Sequence, residues 1–170
     1  MTIRPLQPED AEAFAALNAA NRETLTRYFP FPDEFFTADG QRELIERANA
    51  GGVHLHQAHP FAILDGSAIA GAVNIFAIRR GTRQICTISF WVDRERGGRG
   101  LATSAVEDSV AYAFGELALR RIFAPTFADN VASQRVLEKA SFERVGAAGD
   151  SVRINGELRA PVLFQRVAGA

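Results

Sequence analysis

The chain has 170 residues, 47% of them hydrophobic and 23% charged, with a formal net charge of −1. That is enough for one domain with a real core, residues 1–170, and it leaves no global field to recruit nucleic acid or an anionic membrane. One cysteine, Cys86, excludes an internal disulfide and a cysteine-based metal cluster and suits a reducing cytoplasm, and no stretch approaches the length of a membrane span.

Residues 1–6 read as a short strand rather than a signal peptide. Pro8-Glu9-Asp10 then opens a helix with acids in its first turn, and Phe14, Leu17 and Leu25 give it an apolar stripe to about Thr26. Pro30 and Pro32 break the segment 27–36, which holds five aromatics in ten residues. Core packing between helices explains such a cluster, and a pocket wall is the sharper alternative. Thr37 caps a second helix over 38–49, stopped by Gly51-Gly52. His54, His56 and His59 offer a His-x-His pair, but no further histidine or nearby carboxylate completes a ligand set, so no metal is expected.

Apolar runs at 61–64 and 67–77 flank Asp65-Gly66, a hairpin signal. Arg79, Arg80 and Arg83 follow in a loop, either solvated or facing an acidic group at a pocket rim. In the strand 84–92, period 2 puts Cys86, Ile88, Phe90 and Val92 on a wholly apolar face that should be core. Ile85, Thr87, Ser89 and Trp91 form a mixed face that suggests a cleft. Cys86 therefore reads as packing rather than as a nucleophile.

Gly97, Gly98 and Gly100 come next, between that strand and a helix from 102 to about 117 that buries Val106, Val110, Ala113, Phe114 and Leu117. Residues 121–127 form a further strand, so this strand–turn–helix–strand unit implies a parallel or split pairing with a right-handed crossover. Asn130 and Ser133 open a short helix to Ala140 and serve at least as helix caps. The runs 142–154 and 157–167 flank Asn155-Gly156 as another hairpin. The order β-α-α-β-β-β-α-β-α-β-β predicts an α/β (α+β) fold, a mixed, mostly antiparallel sheet with helices on both faces.

Glycines between a strand and a helix let backbone approach a ligand, and the first helical turn offers unpaired N–H groups and a favourable dipole for an anion. A turn with solvated arginines, Arg94, Arg96 and Arg99, is the plainer reading of the same residues. Two phosphate loops are eliminated. No Lys follows the glycines as a P-loop requires, and Thr103 stands where the dinucleotide fingerprint places its third glycine. No Gly-x-Ser-x-Gly marks a serine hydrolase.

Two motifs together resemble the GNAT superfamily of acyl-CoA-dependent N-acetyltransferases, and within it the branch of ribosomal-protein N-terminal (Rim-like) acetyltransferases. The pyrophosphate loop of that family matches Gly97-Gly98-Arg99-Gly100-Leu101-Ala102, followed by Thr103. The second motif matches Asn130, Ser133, Val136-Leu137-Glu138-Lys139 and Phe142. The resemblance spans essentially the whole chain. It departs at Gly97, where Gln, Arg or an aromatic is usual, and at Ser141, where Gly is. It also departs at Thr87, where many relatives carry a Glu base, and at Ala160-Pro161, where an Asp is frequent.

The resemblance implies a six- to seven-stranded sheet and transfer of an acetyl group from acetyl-CoA to a primary amine, of a small molecule or a protein N-terminus. Attack is direct, in a ternary complex, with no metal and no acyl-enzyme. It assigns acetyl-CoA to Phe90, Trp91, Val92, Gly97, Gly98, Arg99, Gly100, Leu101, Ala102, Thr103, Asn130 and Ser133. The Val92 N–H is the expected oxyanion donor and Ser133 the group that meets the departing thiolate. With no Glu at Thr87, a water held by Thr87 and Ser89 is the expected proton acceptor. Tyr28, Phe29, Phe31 and Glu34 are expected on the acceptor wall. A cytoplasmic monomer or homodimer follows from the same resemblance. A silent acyl-CoA-binding or sensor domain, or a transferase of another acyl group such as succinyl with Arg79, Arg80 and Arg83 in the acyl pocket, stands as the alternative.

Overall fold

The computed structural model describes residues 2–50, 58–147, 149 and 151–169. His54, His56 and the Gly51-Gly52 helix stop lie outside them. Seven strands form one sheet in the order β1-β2-β3-β4-β5-β9-β6, and β7 and β8 form a separate two-stranded ladder. The strands are β1 (Ile3–Pro5), β2 (His59–Asp65), β3 (Ala68–Arg79), β4 (Ile85–Val92), β5 (Arg121–Phe127), β6 (Glu143–Ala147), β7 (Val152–Ile154), β8 (Glu157–Arg159) and β9 (Pro161–Val167). Pairing in the large sheet is antiparallel except between β4 and β5. The helices are α1 (Ala11–Ala20), α2 (Arg22–Thr26), α3 (Ala38–Asn49), α4 (Leu101–Phe114) and α5 (Val131–Lys139).

Helices cover both faces of the sheet. On one face Val106, Val110 and Ala113 of α4 and Leu137 of α5 pack with Cys86 and Ile88 of β4 and Ile122 and Ala124 of β5. On the other, Ala11 and Phe14 of α1 and Ile45 of α3 pack on Ala62 and Ala72. Each large aliphatic side chain so buried contributes about 1.5–3 kcal/mol, so these two layers hold β4 rigid from both sides. The apolar face expected of β4 is the α4/α5 side, and the mixed face looks toward α1.

Local signals placed several elements well. Thr37 Oγ1 accepts from Gly40 N at 3.2 Å and starts α3 at Ala38. Gly40 is needed there, because a Cβ would stand 2.0 Å from the Glu34 carbonyl oxygen. Asn155 and Gly156 have φ of 50° and 85°, the two left-handed residues of a type I′ turn.

Two expectations change. The first helix is interrupted at Asn21 (φ −106°, ψ 12°), so α1 and α2 are separate helices. The Asn-Gly hairpin does not continue into the long strands expected at 142–154 and 157–167. Only β7 and β8 pair across that turn. Gly146 (φ 131°) and a register shift between Arg144 and Gly146 bend β6, and β9 restarts at Pro161, which has no N–H to continue a ladder.

Candidate active site

The site starts from a strand pair that comes apart. β4 and β5 pair only at Ile85↔Arg121, Cys86↔Ile122 and Thr87↔Phe123. Beyond Thr87, β4 stays paired to β3 as far as Val92, while β5 stays paired to β9 as far as Phe127. A wedge therefore opens between them. Asp93 N donates to Ala70 O at 2.8 Å. In an antiparallel ladder, residues one step from such a pair direct their backbone groups away from the partner strand. Val92 and Phe90 thus turn their N–H groups from β3 toward the wedge. Gly71 lies opposite Val92, and a Cβ on it would stand 2.2 Å from the Trp91 carbonyl, so only glycine lets β3 press this closely against the end of β4.

The glycine loop stands at the mouth of the wedge. A single turn, Arg94–Arg96, leads to Gly97, and Gly98 and Gly100 take φ of 76° and 82°. A Cβ at either of these two would meet no protein atom within 4 Å, so backbone conformation rather than packing selects glycine, and the space above the loop is open. Among the described residues the N–H groups of Gly100, Leu101, Ala102 and Thr103 find no protein acceptor, as the first turn of a helix dictates. The residues thus fit an anionic pyrophosphate. Arg99 turns instead to the β2–β3 turn, with its Nη1 2.6 Å from Asp65 Oδ2. Arg96 lies 3.6 Å from Asp93 and 3.9 Å from Asp65.

Across the wedge, Asn130 Oδ1 accepts from Ser133 N at 3.2 Å and caps α5. Gln134 Nε2 donates to the carbonyls of Phe127 and Ala128, both at 3.0 Å, and so pins the first turn of α5 to the end of β5. The Ser133 hydroxyl makes no hydrogen bond among the described residues.

Comparison with known proteins agrees with this geometry. Residues 1–143 match the acetyltransferase (GNAT) domain family. The probable N-acetyltransferase YjcK of Bacillus subtilis is 36% identical over 157 residues, 91% of this chain and 86% of that protein. The chain belongs to the GNAT acetyltransferase family. It is an acyltransferase by that membership. Among solved structures, ribosomal-protein-S5-alanine acetyltransferase from Vibrio fischeri superposes with a TM-score of 0.87 at 26% identity, covering 98% of this chain and 92% of that one. RimJ from Mycobacterium smegmatis, in complex with CoA-disulfide, has the same fold, with a TM-score of 0.89 at 24% identity over 98% of this chain and 81% of that one.

The mixed face of β4 lies on the opposite side of the sheet from α4 and α5. A cavity of about 410 Å3 lies there, lined by Thr87, Phe123, Pro125, Ala147, Gly149 and Leu163. Among the described residues Thr87 is the one lining residue with a polar side chain. Ser89 is exposed, and the Trp91 ring stacks on Phe14 of α1 at 6.1 Å, on the opposite side from the wedge-lining α4 and α5.

None of the four expected wall residues lines this cavity. Tyr28 stacks on Phe127 at the end of β5, at 6.1 Å, with the Arg27 and Arg159 guanidinium groups 5.4 and 5.6 Å from its ring centre. Asp129 joins those arginines, at 3.6 Å from Arg27 and 2.6 Å from Arg159. Phe29 and Phe31 pack together at 4.8 Å, and Phe31 packs on Phe35 at 4.0 Å, a stack of their own. Glu34 is exposed and its carbonyl accepts from Thr37 Oγ1. Cys86 is buried in the α4/α5 core, which pushes its thiol up to about 12. Among the described residues no three metal-ligating side chains come together.

Asn21 went unnoticed in the sequence. It is 2% exposed, at the break between α1 and α2. Its Nδ2 donates to Asp93 Oδ1 at 3.1 Å and to Leu17 O at 3.0 Å, and its Oδ1 accepts from Arg94 N at 3.1 Å. Asp93 in turn accepts from Glu95 N. One side chain therefore fixes the entry to the glycine loop against α1 and α2. A signal was available: Asn18 and Asn21 fall on the same helical stripe as Phe14 and Leu25, and two amides on an apolar stripe need partners.

Proposed function

We propose that this chain transfers an acetyl group from acetyl-CoA to the α-amine of a polypeptide N-terminus, by direct attack in a ternary complex. The observation that carries the reading is the wedge, with the Val92 N–H turned into it and the unpaired amides at the start of α4 beside it. Acetyl-CoA supplies the activated thioester. The amides from Gly98 to Thr103 hold its pyrophosphate through the open left-handed turns at Gly98 and Gly100. Asn130 keeps its Nδ2 for the pantetheine arm, since its Oδ1 is spent on the α5 cap. The Val92 N–H donates to the thioester oxygen as negative charge gathers there, in a backbone position that costs no reorganisation. The Ser133 hydroxyl, at the first turn of α5, donates to the leaving sulfur.

The cavity argues for the type of amine. Among the described residues no carboxylate lines it, so none of them supplies a strong base or a counter-charge for a polyammonium. An α-amine (pKa about 7.7–8.0) is about one-third neutral at pH 7.5, whereas a lysine-like amine (about 10.4) is neutral at roughly one part in a thousand. A water between Thr87 and Ser89 suffices as proton acceptor for the former. Asp150, next to Gly149 in sequence, lies outside the described residues and is the carboxylate to test.

CoA release measured with free-N-terminus peptides, polyamines, aminoglycosides and amino acids tests the reading. Peptides should lead by two orders of magnitude or more in kcat/KM. Acetyl-CoA binding without CoA release from any acceptor would identify a silent acyl-CoA-binding domain instead. A strong preference for polyamines, or loss of all turnover in Asp150→Asn, would refute the base-free acceptor site.

A further inference from the structure

Some arginines have a carboxylate beside them: Arg4 has Asp10, Arg42 has Asp39 and Arg99 has Asp65. At one end of the sheet several exposed arginines gather without one. Arg79 at the end of β3 and Arg121 at the start of β5 both pair with Ile85 of β4, so the three residues sit side by side on adjacent strands. Paired residues share a face, so Arg79 and Arg121 lie on the mixed face of β4. Adjacent strands are about 4.8 Å apart, which puts these two Cα atoms on the order of 10 Å from one another. Arg120 N donates to Gln84 O at 2.7 Å, which brings Arg120 beside Arg83 at the same edge. All four are exposed, and none is in an ion pair among the described residues. Arg121 Nη1 donates to Oε1 of the neutral Gln165 at 3.1 Å.

This end is continuous with the cavity. The Arg121 guanidinium stands 6.0 Å from the Phe123 ring centre, and Phe123 lines the cavity with Thr87, two residues along β4 from Ile85. Bringing like charges together without counter-charges costs stability, so the arrangement calls for an outside anion. Guanidinium groups match carboxylates in a bidentate fork. The protein as a whole carries a charge of −1, which suits a local, short anionic segment better than a long polyanion.

We propose that Arg79, Arg83, Arg120 and Arg121 form a docking site for an acidic stretch of the acceptor polypeptide, downstream of the residue that is acetylated. This rests on the polypeptide acceptor proposed above. From the Phe90–Val92 end of β4 to Ile85 is five to seven residues of strand, roughly 17–23 Å at about 3.3 Å each. An extended acceptor lying along the mixed face therefore places its residues at about positions five to seven against the arginines.

The test uses fluorescently labelled decapeptides with free N-termini, alike except for three Glu or three Gln at positions five to seven. Their binding to the CoA-loaded protein is measured by anisotropy at low and high salt. Three exposed pairs of this kind predict roughly a ten- to hundred-fold tighter binding of the Glu peptide at low salt, collapsing at high salt. The variant R79E/R83E/R120E/R121E should reverse the preference while keeping wild-type turnover on a tripeptide too short to reach the arginines. Single Arg121→Gln should lose part of the discrimination if the fourfold variant does not fold. Equal binding of both peptides to the wild type overturns the docking site. So does a short single-stranded RNA that binds more tightly than the Glu peptide and is lost in the same variant. If no peptide is acetylated yet the Glu peptide binds through these arginines, the docking site stands and the acceptor assignment falls.

Discussion

Asn21→Ala perturbs one buried side chain that ties α1 and α2 to the glycine loop. It removes a hydrogen bond to the Asp93 carboxylate, a group itself 8% exposed, and strips the Arg94 N–H of its acceptor. The Leu17 carbonyl loses less, because Asn21 N also donates to it. A bond to a charged group is worth about 1.5–3 kcal/mol and a part-buried orphaned N–H about 1 kcal/mol. Asn21 lies between the two helices, so Ala gains no helix propensity there. The loss is about 2.5–4 kcal/mol, or roughly 5–15 °C in Tm for a chain of this size. Gly98 and Gly100 begin four residues after Arg94, so acetyl-CoA affinity measured by calorimetry well below the melting range should fall about ten-fold, with the acceptor KM rising in parallel. The double swap Asn21→Asp with Asp93→Asn restores the donor and acceptor between positions 21 and 93 and an acceptor for Arg94 N, so it should recover most of both. A lowered Tm with unchanged acetyl-CoA affinity in Asn21→Ala would show that the clamp only stabilises the fold, and refute the coupling.

Gly98→Asp or Gly100→Asp forces a left-handed non-glycine residue, about 1–2 kcal/mol, and sets a carboxylate against the pyrophosphate at a cost of the order of 1–4 kcal/mol. Calorimetry should show acetyl-CoA binding weakened about 30-fold or more, and retained affinity would mean the loop does not hold the pyrophosphate. Thr87→Val with Ser89→Val should cut kcat strongly with little change in acetyl-CoA Kd, and unchanged turnover excludes the water-mediated route. The Arg4 guanidinium beside Asp10 holds that carboxyl below its ordinary range, and Arg4 is raised in turn. Asp10 therefore adds stability above its unfolded value near pH 4 and loses it as pH falls through the depressed folded value. Denaturation of wild type and Asp10→Asn should differ at pH 7 and converge at the most acid pH. Native Cys86, with its thiol near 12, should resist iodoacetamide at pH 8 and react only once unfolded.

What could be read from the sequence was local. The glycine loop, the Thr37 cap, the Asn155-Gly156 turn and the two faces of β4 each depend on a few neighbouring residues and on periods of 2 or 3.6. Backbone geometry obeys these wherever the segment ends up. The aromatic segment 27–36 shows the limit. Composition left it as core packing or a pocket wall without naming a partner, and in the fold Tyr28 stacks on Phe127 and Phe31 on Phe35. Which partner an aromatic meets depends on where distant elements pack.

The same holds for charge and amide. Nothing near Arg99 in the chain announces Asp65, and nothing near Asn21 announces Asp93, since these pairs form across 34 and 72 residues. By itself the sequence determined the succession of strands and helices, apart from the break at Asn21 and the divided last hairpin, and the left-handed loop ahead of α4, because these follow from short-range sterics and hydrogen bonding; its two motifs carried the family resemblance. Only the tertiary structure decided that β4 and β5 part beyond Thr87, that Asn21 holds the loop they frame, and that four arginines are left without counter-charges at one end. Those features arise where strands and helices far apart in the chain meet, and long-range pairing leaves no periodic trace in the residues that make it.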